Sequence, residues 1–413
     1  MKNNRKYIIT ICLLVIVIII EPFVGIQFGN KMIVNSNYYK NIKSISDKYS
    51  HQDKIINDIK KQFLYKVDDK KLMEESLRGA IAGFDDIYTA YMSKEEYDEF
   101  LLSMNGLSSA GIGVMIYIND NHSIMVEHVF PNSSAEKVGI KKGDKIIKVD
   151  DKEINISSKE SLEDVTKKIK GEAGTYVKIS IMRQDELKEF NVKRAETKIP
   201  NLISHQIDDI GYIKLIGFNV NCGNEFKQEL EKLTQNNVSK LIIDLRDNPG
   251  GLLDEANKIS GLFMPYDTVI AYTKNNKNIK TEIKTTNKSK PYNFSIVILV
   301  NENSASASEL FSGMMKDYKK ATIIGKTTFG KGLVQTINPL DDGSAVKISI
   351  SEYFTPQNHK INKIGVKPDI DLSDEMQNQM LDLFPSADQI KEDVCFKKAV
   401  NIFNNSYQVE VSN

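Results

Sequence analysis

The sequence predicts an α/β core preceded by a small β-rich domain, with helical regions at both ends and a membrane anchor at the N-terminus. From Pro200 onward, compact β-rich runs alternate with helical stretches, which is typical of an α/β fold. Before that point, short β-rich runs with one helix fill about 90 residues, the size of a small domain. The chain opens on a basic tip followed by a long apolar run.

The N-terminal segment, 1–30, combines three basic residues with the apolar run 7–20. A spanning helix needs about 20 apolar residues and a signal-peptide core about 7–15, so this run lies between the two lengths. No small-x-small cleavage site follows, which favours an uncleaved single-pass anchor over secretion after signal cleavage. In both cases the preceding basic residues predict an extracytoplasmic body.

The rest of the chain divides into four regions by composition and periodicity. They are a helical N-terminal region at 36–100, the β-rich domain at 101–195, the α/β core at 196–372 and a helical C-terminal region at 373–413. In the last region Phe396, Val400 and Phe403 share one helical stripe, which either packs on the core or contacts another subunit.

Short runs within these regions predict individual elements. In the β-rich domain, the predicted strands are 114–118, 124–130, 145–149 and 176–182, and the predicted helix is 162–169. In the core, the predicted strands are 212–215, 240–245 and 295–300, and the predicted helices are 225–233 and 252–263.

The composition is that of an ordinary globular protein. Of 413 residues, 41% are hydrophobic and 27% charged, and the 55 Lys+Arg residues equal the 55 Asp+Glu residues. A balanced charge gives no bulk field for a polyanion, so we expect no nucleic-acid partner. The five histidines are scattered and no C-x-x-C occurs, so we expect no metal site and no cofactor. The spacing of Cys222 and Cys395 does not predict whether they pair.

The strongest chemical signal is the run 299–309, where an apolar strand enters a turn of small residues that opens a helix. A serine at such a bend projects its hydroxyl, and the free N–H groups of the helix N-terminus face a developing oxyanion. Ser306 is therefore a candidate nucleophile. The residues from Ser306 to Glu309 also fit an S-x-x-E capping box, which requires no chemistry.

Lys331 lies between two glycines in a stretch poor in acidic residues. Between Glu309 and Asp341, the only acidic residue is Asp317. A lysine must lose its proton to act as a base, and its free pKa of about 10.4 opposes this at neutral pH. Desolvation away from carboxylates lowers that pKa, so Lys331 is a candidate base; the alternative is an ordinary surface lysine. Gln335 is suited to hold the amine by an uncharged hydrogen bond.

A third segment, 241–251, ends a strand in a Pro-Gly-Gly turn before a helix. Glycines leave backbone N–H groups bare, and such groups can stabilise an oxyanion. Taken alone, the segment also fits a plain turn.

Together, these segments resemble the C-terminal processing peptidases, also called tail-specific proteases. The resemblance covers nearly all of the chain from Ser36 to about Leu372. The residues that carry it are Asp244-Leu245-Arg246, Asn248-Pro249-Gly250-Gly251, the run from Ser304 to Glu309, and Thr328-Phe329-Gly330-Lys331-Gly332 with Val334-Gln335. Supporting matches are Tyr353-Phe354-Thr355-Pro356 and Gly365-Val366-Lys367-Pro368-Asp369.

The resemblance implies a serine endopeptidase that cleaves exported proteins near their C-termini. By position in the motifs, Ser306 is the nucleophile, Lys331 the general base and Gln335 the residue that orients the lysine. The N–H groups of Gly251 and Ala307 are expected to form the oxyanion hole. Acyl transfer by this route needs neither histidine nor metal.

The same resemblance identifies the β-rich domain as a PDZ domain, a module that binds protein C-termini. Its carboxylate-binding loop is expected at Gly111, Ile112, Gly113 and Val114. The predicted partners are therefore proteins or peptides with free C-termini. The family also implies a homodimer formed through the terminal helical regions.

The chain departs from the family at two places. The segment 84–89 reads Phe-Asp-Asp-Ile-Tyr-Thr where Leu-Asp-Pro-Tyr-Ser is common, and Gln357-Asn358 replaces the glycine that follows Thr-Pro. Two other function classes stay open. One is a non-catalytic PDZ adaptor with a degenerate core. The other is a different Ser/Lys enzyme, such as a signal peptidase or penicillin-binding protein, whose S-x-x-K, S-D-N and K-T-G set is not found.

Overall fold

The computed structural model describes residues 26–28, 31–33, 36–154, 156, 161–376 and 381–411. They divide into two compact units between Leu77 and Arg78. Most of the predicted anchor, 1–30, lies outside the described residues. Beyond the apolar run, Ile26–Phe28 and Lys31–Ile33 pair as two short antiparallel strands. Within the described ranges, the helices are all too short or too polar to cross a membrane.

The N-terminal helical region is confirmed, with one strand inside it. The elements up to residue 104 are β1 (Ile26–Phe28), β2 (Lys31–Ile33), α1 (Ser36–Gln62), α2 (Asp69–Ala82), β3 (Ala90–Met92) and α3 (Lys94–Met104). A capping box fixes the start of α3: Ser93 Oγ accepts the Glu96 N–H, and the Glu96 carboxylate accepts the Ser93 N–H. Strand β3 belongs to a sheet of the α/β core, which the local helical rhythm did not predict.

The small domain is an antiparallel sheet with two helices. Its strands are β5 (Val114–Ile118), β6 (Ile124–Val129), β7 (Lys145–Val149), β8 (Lys152–Glu153), β9 (Tyr176–Arg183) and β10 (Glu186–Lys193), and its helices are α4 (Ser134–Val138) and α5 (Leu162–Ile169). The strand order is β10-β9-β7-β6-β5, with β8 beside β7. Val165 and Ile169 of α5 are one helical turn apart and both buried in the domain core. A ribbon of β4 (Leu107–Gly111) and β11 (Ala195–Lys198) connects this domain to the core.

The main sheet of the core is buried on both faces. Its strands are β12 (Leu202–Ile207), β13 (Ile210–Leu215), β14 (Lys240–Asp244), β17 (Ser295–Val300), β18 (Thr322–Gly325) and β21 (Ile370–Asp371), in that order across the sheet. All neighbours are parallel except β12 and β13. Parallel strands need covering helices on both sides, which explains why the apolar residues in the interior of β14 and in β17 after Ser295 are consecutive rather than alternating.

Two sets of helices cover this sheet. One face packs α6 (Cys222–Gln235), α7 (Leu253–Phe263) and α8 (Ala307–Asp317). The other packs α9 (Ala387–Glu392) and α10 (Val394–Val411). Successive residues of β14 point to opposite faces: Leu241 and Ile243 join the first cluster, and Ile242 joins the second. Cys222 and Cys395 are both free and buried, one in each cluster.

A second core sheet carries the segment after Lys331. It consists of β15 (Val269–Asn275), β16 (Lys280–Lys284), β19 (Leu333–Pro339) and β20 (Ala345–Phe354), in the order β16-β15-β20-β19, and β3 pairs with β20. Thus residues near position 90 lie beside residues near position 347.

A buried ionic network connects the main sheet to the C-terminal helices. Asp244 accepts hydrogen bonds from Arg246 and from the Tyr212 hydroxyl (2.6 Å), and the Arg246 guanidinium also donates to Asp393 (2.9 Å). Burial alone disfavours the charged form of Asp244, but Arg246 and Lys214 hold its pKa well below the usual range. Asp393 also accepts the Phe396 N–H (2.8 Å) at the start of α10. The network therefore fixes α10 against the sheet.

We expect Asp393→Ala to lower the free energy of unfolding by about 3 kcal/mol, because it leaves the buried Arg246 guanidinium short of one partner. Urea unfolding followed by circular dichroism measures the change. The exposed Asp388 of α9 provides the control, and Asp388→Ala should cost less than about 1 kcal/mol. Equal losses of unfolding free energy in the two variants would contradict the proposed contribution of the network to stability.

Candidate active site

Ser306 lies at a strained bend between β17 and α8. Its backbone has φ 56° and ψ −112°, a region that side-chain-bearing residues rarely occupy, at a cost of about 1–3 kcal/mol. Contacts to the loop after β14 hold the bend. The Ser304 hydroxyl donates to the Leu245 carbonyl (2.8 Å), and the Asn248 carbonyl accepts both the Ala305 N–H (3.0 Å) and the Ser308 hydroxyl (3.0 Å). The predicted sharp turn therefore rests on a loop about 60 residues earlier in the chain.

Glycines at 250 and 251 allow these two loops to touch. Gly250 has φ 99°, and a Cβ built on it would lie 2.8 Å from Ser306 Cβ and 2.9 Å from the Ala307 nitrogen. Gly251 has φ 141°, and its Cβ would lie 2.5 Å from the Phe218 carbonyl oxygen. Any side chain at either position would therefore separate this loop from its neighbours.

Two backbone N–H groups in this region lack an acceptor. The Gly250 N–H donates to Asn248 Oδ1 (2.9 Å). In the part of the chain that the structure describes, the N–H groups of Gly251 and Ala307 are not hydrogen-bonded. Ala307 is the first residue of α8, where the helix leaves its N–H groups unpaired. These two groups are thus free to donate to a further acceptor.

The carboxylate of Glu309 joins the serine turn to the lysine loop. One oxygen accepts the N–H groups of both Ser306 (2.8 Å) and Lys331 (2.8 Å). The other accepts the Thr328 hydroxyl (2.6 Å) and the Gly330 N–H (2.7 Å). Glu309 is fully buried; this burial raises its pKa, and its four hydrogen bonds act in the opposite direction. One buried side chain therefore fixes the backbone on both sides of the site.

Lys331 is half-buried, and its amine faces an aromatic ring. The Nζ atom lies 5.0 Å from the centroid of the Tyr88 ring. Burial, followed by the charge of Lys347, lowers the pKa of Lys331, whereas the charge of Glu309 raises it. The prediction of a neighbourhood poor in acidic groups is thus corrected, because the fold brings Glu309 beside the lysine loop. The net direction of the pKa shift remains downward.

Gln335 lies in β19 and contacts the loop that carries Tyr88. Its Nε2 donates to the Tyr88 carbonyl (2.7 Å). Across the described residues, no hydrogen bond joins Gln335 to the Lys331 amine, or that amine to the Ser306 hydroxyl. The structure thus brings the predicted site residues into one region and gives Gln335 a partner that the sequence did not predict.

The predicted carboxylate-binding loop lies between β4 and β5 of the small domain. Gly111 ends β4 and Val114 begins β5. Gly113 has φ 79°, and a Cβ there would lie 2.3 Å from Ser133 Cβ, so only glycine fits. The Ile112 carbonyl accepts the Ala135 N–H (2.8 Å), and the Gly113 carbonyl accepts the Phe130 N–H (3.1 Å). The carbonyls are therefore turned toward the domain.

Strand β5 is an edge strand of its sheet. In the described part of the domain it pairs with β6 alone, so its other edge is open. The side chains of Met115 and Tyr117 on this strand are 39% and 42% exposed. An open edge with apolar side chains can accept an added strand from a peptide.

Two residues of the site were missed as functional candidates. Glu309 appeared in the sequence only as a capping residue, although an S-x-x-E motif beside a candidate nucleophile was a usable signal. Tyr88 lies in the segment 84–89, which the sequence marked only as a departure from the family pattern. No cluster of three metal-ligating residues is found among the described residues.

Comparisons with known proteins identify the two domains of this chain. Residues 209–372 match the profile of Peptidase family S41, and residues 110–193 match that of the PDZ domain. A probable CtpA-like serine protease of Staphylococcus haemolyticus is 36% identical over 76% of this chain and 63% of its own length. A probable CtpA-like serine protease of Staphylococcus aureus (strain N315) is 33% identical over 87% of this chain and 70% of its own. The chain thus spans less than two thirds of the first of these relatives.

A solved structure gives the same result. The photosystem II D1 C-terminal processing protease superposes with a TM-score of 0.50 at 26% identity, over 75% of this chain and 84% of that protein. The predicted resemblance to C-terminal processing peptidases is therefore confirmed, as is the PDZ domain.

We expect Glu309→Gln to lower the free energy of unfolding by about 2–3 kcal/mol, because an amide nitrogen would then face buried N–H or hydroxyl donors. Thermal unfolding of the purified chain measures this loss. Glu302→Gln is a matched control, since Glu302 lies on the same turn but is exposed and pairs with Lys326 (3.0 Å). A Glu309→Gln variant as stable as this control would exclude a structural role for the carboxylate.

Proposed function

This chain belongs to peptidase family S41, and from that premise we propose that it is a serine endopeptidase with Ser306 as nucleophile and Lys331 as general base. The observation that carries the proposal is the shared carboxylate of Glu309, which accepts the backbone N–H groups of both residues. If Glu309 only capped α8, it would not need to accept the Lys331 N–H. If Lys331 were an ordinary surface lysine, it would not need to be half-buried with its amine over the Tyr88 ring.

The proposed reaction is acyl transfer. The Ser306 hydroxyl attacks the scissile carbonyl while the neutral amine of Lys331 takes its proton. The resulting oxyanion accepts hydrogen bonds from the free N–H groups of Gly251 and Ala307. The Lys331 ammonium then returns the proton to the leaving amine, and water hydrolyses the acyl-enzyme in a second step that uses the same base.

The base must be neutral to start this cycle. Burial and the nearby charge of Lys347 both favour the neutral amine of Lys331. Because the active form is the deprotonated one, kcat/KM should rise with pH through the lysine's pKa. That rise should be centred below the ordinary lysine pKa of about 10.4, because burial lowers the pKa of Lys331.

We further propose that the PDZ domain selects substrates by their C-terminal tails. A peptide would add to the open edge of β5, and its terminal carboxylate would bind the N–H groups of the loop formed by Gly111, Ile112, Gly113 and Val114. The exposed Met115 and Tyr117 give this edge an apolar character, which favours apolar tails. Recognition and cleavage would then use separate sites on one chain.

The sequence and the surface also suggest where the chain is located and how it assembles. We propose that the basic and apolar segment 1–30 keeps the catalytic body outside the cytoplasm, as a membrane anchor. We also propose a homodimer through the terminal helical regions. Exposed apolar side chains on and just after α1, among them Ile45, Ile59 and Phe63, support this contact.

Replacement of either dyad residue should abolish proteolysis. With an unstructured protein that ends in an apolar tail, Ser306→Ala and Lys331→Ala should each lower kcat by at least about a thousandfold. Gel-based cleavage and mass spectrometry of the products measure this. Lys326→Ala is the matched control, because Lys326 lies five residues earlier in the same loop and pairs with Glu302. Wild-type turnover by either dyad variant would refute the assignment.

Tail recognition should depend on the free carboxylate. Amidation of the substrate's C-terminus should raise KM about tenfold or more with little change in kcat, because only the PDZ loop contacts the tail. Gly113→Val should have the same effect on the free-acid substrate, since its side chain would clash with Ser133. If amidated and free-acid tails gave the same KM, C-terminal capture would be excluded. Tight tail binding by the wild type without any hydrolysis would instead favour a non-catalytic adaptor.

A further inference from the structure

The amine of Lys331 is held by a ring rather than by a carboxylate. Its Nζ lies 5.0 Å from the Tyr88 centroid, within the distance of about 6 Å at which cation–π attraction acts. Among the described residues no carboxylate forms an ion pair with this amine. Glu309 binds the backbone of Lys331, not its side chain. The ring face of Tyr88 is therefore the contact that can place the ammonium.

The loop that carries Tyr88 is fixed on both sides. Asp86 accepts the Tyr88 N–H (3.1 Å) and the Thr89 hydroxyl (2.6 Å). Thr89 Oγ1 in turn accepts the Ser349 N–H (3.2 Å) from β20. The next residue, Ala90, begins β3 and pairs with Lys347 of β20. Tyr88 therefore lies close to the start of a strand in the sheet that also contains Gln335.

Tyr88 also receives the side chain of Gln335. The Gln335 amide donates to the Tyr88 carbonyl (2.7 Å), although the two residues are 247 positions apart. Asp86 and Gln335 thus bind the Tyr88 backbone at its N–H and at its carbonyl, respectively. Both predicted partners of the serine, Lys331 and Gln335, therefore converge on one tyrosine.

We propose that Tyr88 is the positioning residue of the general base, holding the Lys331 ammonium on its ring face and coupling Gln335 to the lysine through its carbonyl. This proposal rests on the proposed role of Lys331. When Lys331 has taken the Ser306 proton, the ring stabilises the resulting cation until the proton passes to the leaving amine. Gln335 then acts on the lysine through Tyr88 rather than by direct contact.

Several charges face this pair. Lys347 from β20 and Glu309 from α8 face the Lys331 amine, and Glu309 and Asp86 face the Tyr88 ring. Lys347 disfavours the ammonium, whereas Glu309 and the ring favour it. Weakening the ring's negative face should therefore lower the pKa of Lys331 and move the alkaline rise of activity to lower pH.

The test compares phenylalanine with trifluorinated phenylalanine at position 88, since fluorination weakens the ring's negative face and preserves its shape. In Ser306→Ala protein with ¹³C-labelled lysine, the Lys331 Cε resonance is assigned by Lys331→Arg and titrated by NMR. We expect the fluorinated ring to lower the titration midpoint by about half a pH unit relative to phenylalanine. In the active protein, Tyr88→Leu should lower kcat about tenfold or more, and Tyr88→Phe should restore most of that loss.

The control is Tyr266, whose ring centroid lies 5.5 Å from the Lys288 amine. Tyr266 lies in the turn after the C-terminal end of α7, whereas Gly251 lies just before the N-terminal end of that helix. Fluorination there should leave the Lys331 midpoint unchanged. The proposal is overturned if fluorination at position 88 leaves the Lys331 midpoint unchanged. It is also overturned if the kcat of Tyr88→Phe is as low as that of Tyr88→Leu. The titration does not require turnover, so its result tests the role of Tyr88 without testing the proposed proteolysis. Cleavage of substrate by Ser306→Ala would contradict the proposed function and leave the titration result unaffected.

Discussion

The site depends on a buried carboxylate that has no ion-pair partner among the described residues. Glu309 lies on the first turn of α8, so the helix N-terminus favours its negative charge while burial opposes it. Four hydrogen bonds from two separate loops resolve this conflict. The same bonds set the distance between the turn of Ser306 and the loop of Lys331. A shorter side chain would leave both loops without a common acceptor, and a neutral amide would have one oxygen in place of two.

The main sheet determines where these loops meet. Strands β14 and β17 are parallel neighbours, so the loops after them leave the same edge and come into contact. The glycines at 250 and 251 allow an approach that a Cβ would prevent. On the other face of the sheet, Arg246 connects the end of β14 to Asp393 and hence to α10. Rigid elements thus support both sides of the strained Ser306 backbone.

The lysine receives its environment from a different part of the chain. Tyr88 precedes β3, which adds to the sheet containing β19 and β20, and this pairing brings the ring over the amine. The segment around Tyr88 is therefore part of the candidate active site. Opposing influences act on the Lys331 pKa: burial and Lys347 lower it, and Glu309 raises it. Such a balance suits the proposed general base, which would both accept and return a proton.

The sequence by itself determined the elements and the candidate chemistry. The apolar runs of β14 and β17, the helix α5 and the serine turn are local patterns, because each depends on residues a few positions apart. The sequence could not reveal that Glu309 holds the lysine loop, that β3 joins a core sheet, or that Gln335 bonds to Tyr88. These contacts join residues 19 to 257 positions apart, and their partners are set by strand pairing and packing. Only the tertiary structure decides them, because many side chains of one type satisfy the same local rules and the fold selects which of them meet.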